Sequence, residues 1–146
     1  MNDVVDSTLS GYLIQAGFVQ RLALIARQIT EYSPLMVPIT TIITRINSSE
    51  HQDTVHCVEC GFVQIFFSWL SIKDLKKGVV KEILFCMSNF TIDSSEVCSF
   101  VLDDQERFST LVRLCYHEDE RVRSEAVWNF CNATAVCNRE KITLLV

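Results

Sequence analysis

The chain is similar to itself at a step of 43 to 44 residues. Gly17-Phe18-Val19-Gln20 returns as Gly61-Phe62-Val63-Gln64, 44 positions on. The stretch 79–91 returns loosely as 122–134, 43 positions on, with Glu82, Phe85 and Asn89 matched by Glu125, Trp128 and Asn132. A period of about 40–47 residues belongs to helical solenoids, in which each repeat hides its apolar faces only by stacking on its neighbours. With 146 residues the chain has room for about three such units.

Composition supports helices. Gly (4) and Pro (2) are too scarce for the many turns of an all-β chain. At 49% apolar and 21% charged, the chain is too hydrophobic for a disordered tail. Each period then splits into three helical pieces. The first pieces are 8–16, 52–60 and 96–103; the second are 18–29, 62–71 and 107–116; the third and longest are 34–47, 78–90 and 120–133. Val63, Phe66, Phe67 and Leu70 fall at i, i+3, i+4 and i+7, and Leu111, Val112 and Cys115 follow the same stripe in the third copy. Ser33 reads as an N-cap with Pro34 in the first turn, and Pro38 is expected to bend the helix that follows. The connections 72–77 and 117–119 read as charged, exposed turns, with Lys73, Lys76 and Lys77 solvated. Asp103-Asp104 stands where the other copies carry Gly.

The repeats are expected at 8–50, 51–93 and 94–137. Residues 138–146 look like the opening helix of a further repeat that then stops. From this the sequence is expected to be a fragment, a truncated product, or a chain whose open end a partner covers.

Several function classes recede. The net charge of −5 gives no basic excess to neutralise phosphates, so nucleic acid is not an expected partner, whereas a basic peptide is electrostatically easy. The N-terminus lacks the cationic and apolar regions of a secretory signal, and the longest apolar stretch, 61–72, is short of a membrane span. Seven cysteines, an odd number set among apolar residues, fit reduced core thiols and a reducing compartment. Sequons at Asn47, Asn89 and Asn132 are discounted, since no signal peptide is seen and two lie in expected helices. His56-Cys57-x-x-Cys60 could hold zinc or do redox chemistry, yet no second Cys pair follows at ligand spacing, so it reads as core of a short helix. No Gly-rich phosphate loop, nucleophile elbow or catalytic trio is present; no enzyme, catalytic residue, metal or cofactor is expected.

Glu125, Trp128 and Asn132 lie at i, i+3 and i+7, on one helical face, and Glu82, Phe85 and Asn89 repeat that register. Physically this makes a peptide-gripping ladder. An Asn amide both donates to and accepts from an extended backbone. An aromatic ring walls an alkyl stem and offers its face to a cation. A nearby carboxylate supplies field.

Lys81-Glu82 with Ser88-Asn89-Phe90-Thr91, and Glu125-Ala126-x-Trp128 with Asn132-Ala133-Thr134, resemble the armadillo repeats of the importin-alpha family. The resemblance runs from about residue 8 to the end. It implies an all-α, right-handed superhelical solenoid and an adaptor, in cytoplasm and nucleus, that holds a nuclear localisation signal for import. Asn89 and Asn132 would clamp the peptide backbone, Trp128 and Phe85 would flank its Lys stems, and Glu125 and Glu82 would supply charge. Phe85 stands where the family usually has Trp. Thr41 and Arg45 replace the Trp/Asn pair in the first repeat, leaving about two rungs. Nothing in 1–7 resembles the family's basic segment that recruits importin-beta, so a handover to importin-beta is not expected. The alternative is an armadillo-type scaffold that binds another protein partner outside nuclear import.

Overall fold

The computed structural model describes residues 3–137, with side-chain surroundings from Leu9 onward. The expected further repeat at 138–146 lies outside the described residues. Among these residues the chain forms nine helices: α1 (Asp3–Gln15), α2 (Phe18–Arg27), α3 (Met36–Asn47), α4 (His51–Glu59), α5 (Phe62–Leu70), α6 (Lys77–Asp93), α7 (Ser95–Leu102), α8 (Gln105–Leu114) and α9 (Glu120–Val136). They follow the expected order of helical pieces. α1 begins five residues before its expected start, because nothing in Asp3-Val4-Val5-Asp6-Ser7 breaks a helix. Among the described residues no single helix is long and apolar enough to cross a membrane; Leu9–Gln15 and Phe18–Arg27 reach that length only together, through a 70° bend.

Packing divides the chain into two compact units at Leu75/Lys76. In the first, α5 is the central helix. Phe62, Val63, Ile65, Phe66, Phe67, Trp69 and Leu70 are all buried, leaving Gln64 and Ser68 to solvent. An apolar surface on nearly every side marks an interior helix. Phe66 sits between Phe62 and Trp69, with ring centroids 5.7 and 5.5 Å away. Burying each such ring stabilises by about 1.5–3 kcal/mol. α2 adds Val19, Leu22, Ala23 and Ala26 to this unit's core, and α3 adds Ile39, Ile43 and Ile46.

The repeated glycines have one backbone task. Gly17 and Gly61 precede α2 and α5 at φ 74° and 90°, the left-handed region open to glycine. At the matching place before α8, the chain solves the turn differently: Asp104 has φ −81° and accepts from the Arg107 N–H at 2.9 Å as an N-cap. Ser33 does not cap α3. Its Oγ accepts from the Leu35 N–H at 3.2 Å within a preceding turn, and the helix starts at Met36. Pro38 therefore falls in the first helical turn, where its missing N–H has no intrahelical acceptor to lose, and the reason to expect a bend disappears.

In the second unit, the long helices α6 and α9 pack along each other. α6 buries Ile83, Leu84, Met87 and Phe90, and α9 meets it with Val122, Ala126, Asn129 and Ala133. Small residues on α9 permit close approach. α8 contributes Leu111 and Leu114, while Val112 is exposed, so its buried stripe is narrower than expected. Ser94 and Asp119 cap α7 and α9. Asp119, in the turn 117–119, is less solvated than expected: its carboxylate meets Lys77 Nζ at 3.3 Å, while Lys77, the first residue of α6, stays exposed as expected.

Candidate functional site

All six residues expected to contact or attract a peptide lie on α6 and α9 in the second unit. Two cross-helix hydrogen bonds set their register. Asn129 Nδ2 donates to the Leu84 carbonyl at 3.1 Å, and Asn132 Nδ2 donates to the Ser88 carbonyl at 2.9 Å. The separations of 45 and 44 residues lie within two of the 43-residue step between Asn89 and Asn132, so the two helices run alongside close to repeat-equivalent register. Phe85 follows Leu84 and Trp128 precedes Asn129, which brings the aromatic residues to neighbouring turns.

Both rings face solvent, Trp128 at 54% and Phe85 at 45% exposure. Asn132 and Asn89 are half-buried one turn beyond their aromatic partners. The bond to Ser88 uses one of the two Asn132 amide hydrogens, leaving a second donor and the oxygen for an incoming group. Sequence reasoning gave Asn132 only an outward role; its inter-helix bond was not foreseen.

The acidic residues form a cluster with one lysine. Lys81 Nζ lies 3.5 Å from Glu82 Oε1. Burial pushes the Glu125 carboxyl above its ordinary range, Glu82 adds to the rise, and Lys81 opposes it. An incoming cation beside Glu82 and Glu125 would relieve the repulsion between two like charges.

A surface groove of about 490 Å³ opens beside Trp128, between the end of α8 at Cys115 and the outer face of α9 with Val127 and Cys131. It includes Trp128 and none of the other five predicted residues. Arg123 lines it with its head held, Nη1 donating to the His117 and Glu118 carbonyls at 2.9 Å each. Burial raises the Cys115 thiol on the opposite wall.

The first unit has no matching rung on α3. Thr41 turns its hydroxyl to the Val37 carbonyl at 2.9 Å, and Arg45 is exposed. Cys57 and Cys60 are buried, and His56 Nε2 lies 3.7 Å from Cys60 Sγ. Burial raises the Cys60 thiol, Arg27 lowers it and Glu59 raises it. Among the described residues no group of three or more His, Cys, Asp and Glu side chains could hold a metal ion.

These features fit a helical repeat with exposed aromatic side chains on α6 and α9. No protein-family profile matches the chain, and no curated protein does. Solved structures do. A designed armadillo repeat protein in complex with the peptide (KR)4 superposes with a TM-score of 0.79 at 24% identity, over 92% of this chain and 54% of that one. A second designed armadillo repeat protein gives 0.77 at 21%, over 92% and 54%. An engineered protein gives 0.77 at 19%, over 89% and 51%. The chain thus has an all-α, armadillo-like repeat fold, and spans about half the length of the solved structures it matches.

Proposed function

We propose that this chain is a protein-binding adaptor that holds an extended basic peptide against α6 and α9, of the importin-alpha kind that carries nuclear localisation signals between cytoplasm and nucleus. One observation carries the reading: the exposed Phe85 and Trp128 rings lie on parallel helices joined in register by the Asn129–Leu84 and Asn132–Ser88 bonds. Two rungs at the repeat spacing suit an extended backbone. Each ring walls a Lys or Arg stem, and the Glu82–Glu125 pair supplies negative field. The net charge of −5 favours such a ligand, and the structurally similar designed protein bound to (KR)4 supports a basic peptide as partner.

Titration of an alternating Lys/Arg octapeptide against the full chain and against Trp128→Ala/Asn132→Ala tests this. An indole over a partly desolvated cation contributes about 1–2 kcal/mol, so the double variant should bind roughly five- to thirtyfold more weakly. Circular dichroism confirms that it remains helical, since Asn132 also joins α9 to α6. Unchanged affinity in a folded double variant overturns the reading. Undiminished binding of the same peptide with every Lys and Arg made uncharged would instead favour a scaffold for another protein partner.

A further inference from the structure

Beyond peptide binding, the second unit carries a dithiol placed for oxidation. Cys98 Sγ on α7 and Cys137 Sγ, just past the end of α9, lie 3.2 Å apart, although 39 residues separate them in the chain. All seven cysteines are thiols. We infer that Cys98 and Cys137 form a reversible disulfide that clamps the end of α9 to α7.

The surroundings suit the reaction. A disulfide holds its sulfurs about 2.05 Å apart, so closure asks for roughly 1 Å of travel. Cys137 can supply it. It is the C-cap residue, its backbone is already extended at ψ 142°, and its side chain is outside the last helical turn. Cys98 is fully buried and Cys137 half-buried, which assigns their order of reaction. With glutathione disulfide as oxidant, Cys137 loses its proton to water and its thiolate attacks one glutathione sulfur. One glutathione thiolate leaves, and a mixed disulfide remains at Cys137. The Cys98 sulfur then displaces the second glutathione, its proton passing to the departing thiolate. Two protein thiols are oxidised and one glutathione disulfide is reduced to two thiols. The closed loop is long, so the bond should stabilise the folded unit.

The test incubates the full chain with excess glutathione disulfide, counts thiols, maps cross-linked peptides by mass spectrometry and follows thermal unfolding. The expected result is the loss of a pair of thiols to a Cys98–Cys137 linkage and a Tm higher by roughly 5 °C, reversed by dithiothreitol. Cys137→Ser should abolish the linkage and the Tm gain, whereas Cys131→Ser, at an exposed thiol in the groove, should keep both. A linkage between other cysteines, a glutathione adduct left unresolved at Cys137, or an equal Tm gain in Cys137→Ser would overturn the inference.

Discussion

Asn129 and Asn132 are three residues apart on α9, and burial separates their roles. Asn129 is fully buried; its Nδ2 donates to Leu84 and also to the Glu125 carbonyl at 2.9 Å, while its Oδ1 has no hydrogen-bond partner. Asn132 makes one inter-helix bond and keeps the rest of its amide at the surface. Asn129→Ala should therefore lower stability by about 1–3 kcal/mol, read as a shifted urea midpoint, and leave the peptide affinity of the folded protein unchanged. A large affinity loss there would place the binding surface elsewhere on α9. The sequence marked Asn132 because it repeats Asn89 at the chain's own 43-residue step, whereas Asn129 stands in no motif and its role depends on which face of α9 meets α6. The glycines were legible as a repeat, though not for their cause. Gly61→Ala puts a Cβ at φ 90° and 2.5 Å from Arg27 Nη2, the group that donates to the Cys60 carbonyl. Gly17→Ala meets only the backbone penalty, of about 1–2 kcal/mol, because its nearest neighbour is 4.0 Å away. Denaturant curves should find Gly61→Ala the more destabilised of the two; the reverse order would deny Arg27 its part.

At the scale of the element, α9 shows how charge sets a helix start. Desolvation pushes the Asp119 carboxyl upward, yet the hydrogen bonds from Arg121, Lys77 and the Val122 and Arg121 N–H groups outweigh it and hold the group at about 2, below its ordinary 3.8. A carboxyl lowered by folding stabilises above its unfolded pKa, and that contribution is lost as pH falls through the folded value. The Tm advantage of the wild type over Asp119→Asn should therefore be full above about pH 4 and vanish towards pH 2. A gap that does not change with pH would mean that the carboxylate charge plays no part. Glu125 has the opposite sign. Burial and Glu82 raise its carboxyl above 4.5 against the pull of Lys81, so its contribution is complete below the unfolded pKa and lost as pH rises. Glu125→Gln should raise Tm at pH 7 and weaken binding of the basic octapeptide, an exchange that a purely structural Glu125 would not produce. Sequence reasoning placed Glu82 and Glu125 by their register. It missed the Lys77–Asp119 pair, because 42 residues separate the partners and His117-Glu118-Asp119-Glu120 reads as an ordinary polar turn until α6 and α9 are laid side by side.

At the largest scale, the fold was legible because one period organises the nine helices of the described residues, and the spacing of Gly17 from Gly61 and of Asn89 from Asn132 states that period directly. The packing division at Leu75/Lys76 was not legible: it depends on α6 packing with α9, a preference that no local pattern encodes. Charge acts as a property of the entire chain. With a net charge of −5, long-range attraction should aid capture of a basic peptide, and this part is screened as the Debye length falls from about 10 Å at 0.1 M salt to about 3 Å at 1 M. Exposed charge pairs contribute only about 0.2–1 kcal/mol each, so several of them acting together should cost roughly tenfold in affinity across that range. The apolar contact of Trp128 with a side-chain stem is not screened. Residual binding at 1 M salt should therefore still respond to Trp128→Ala, while Glu82→Gln/Glu125→Gln should flatten the salt dependence without abolishing that residue. An affinity that does not change with salt, or a residual that ignores the indole, would break the link between the ladder on α6 and α9 and the acidic character of the chain.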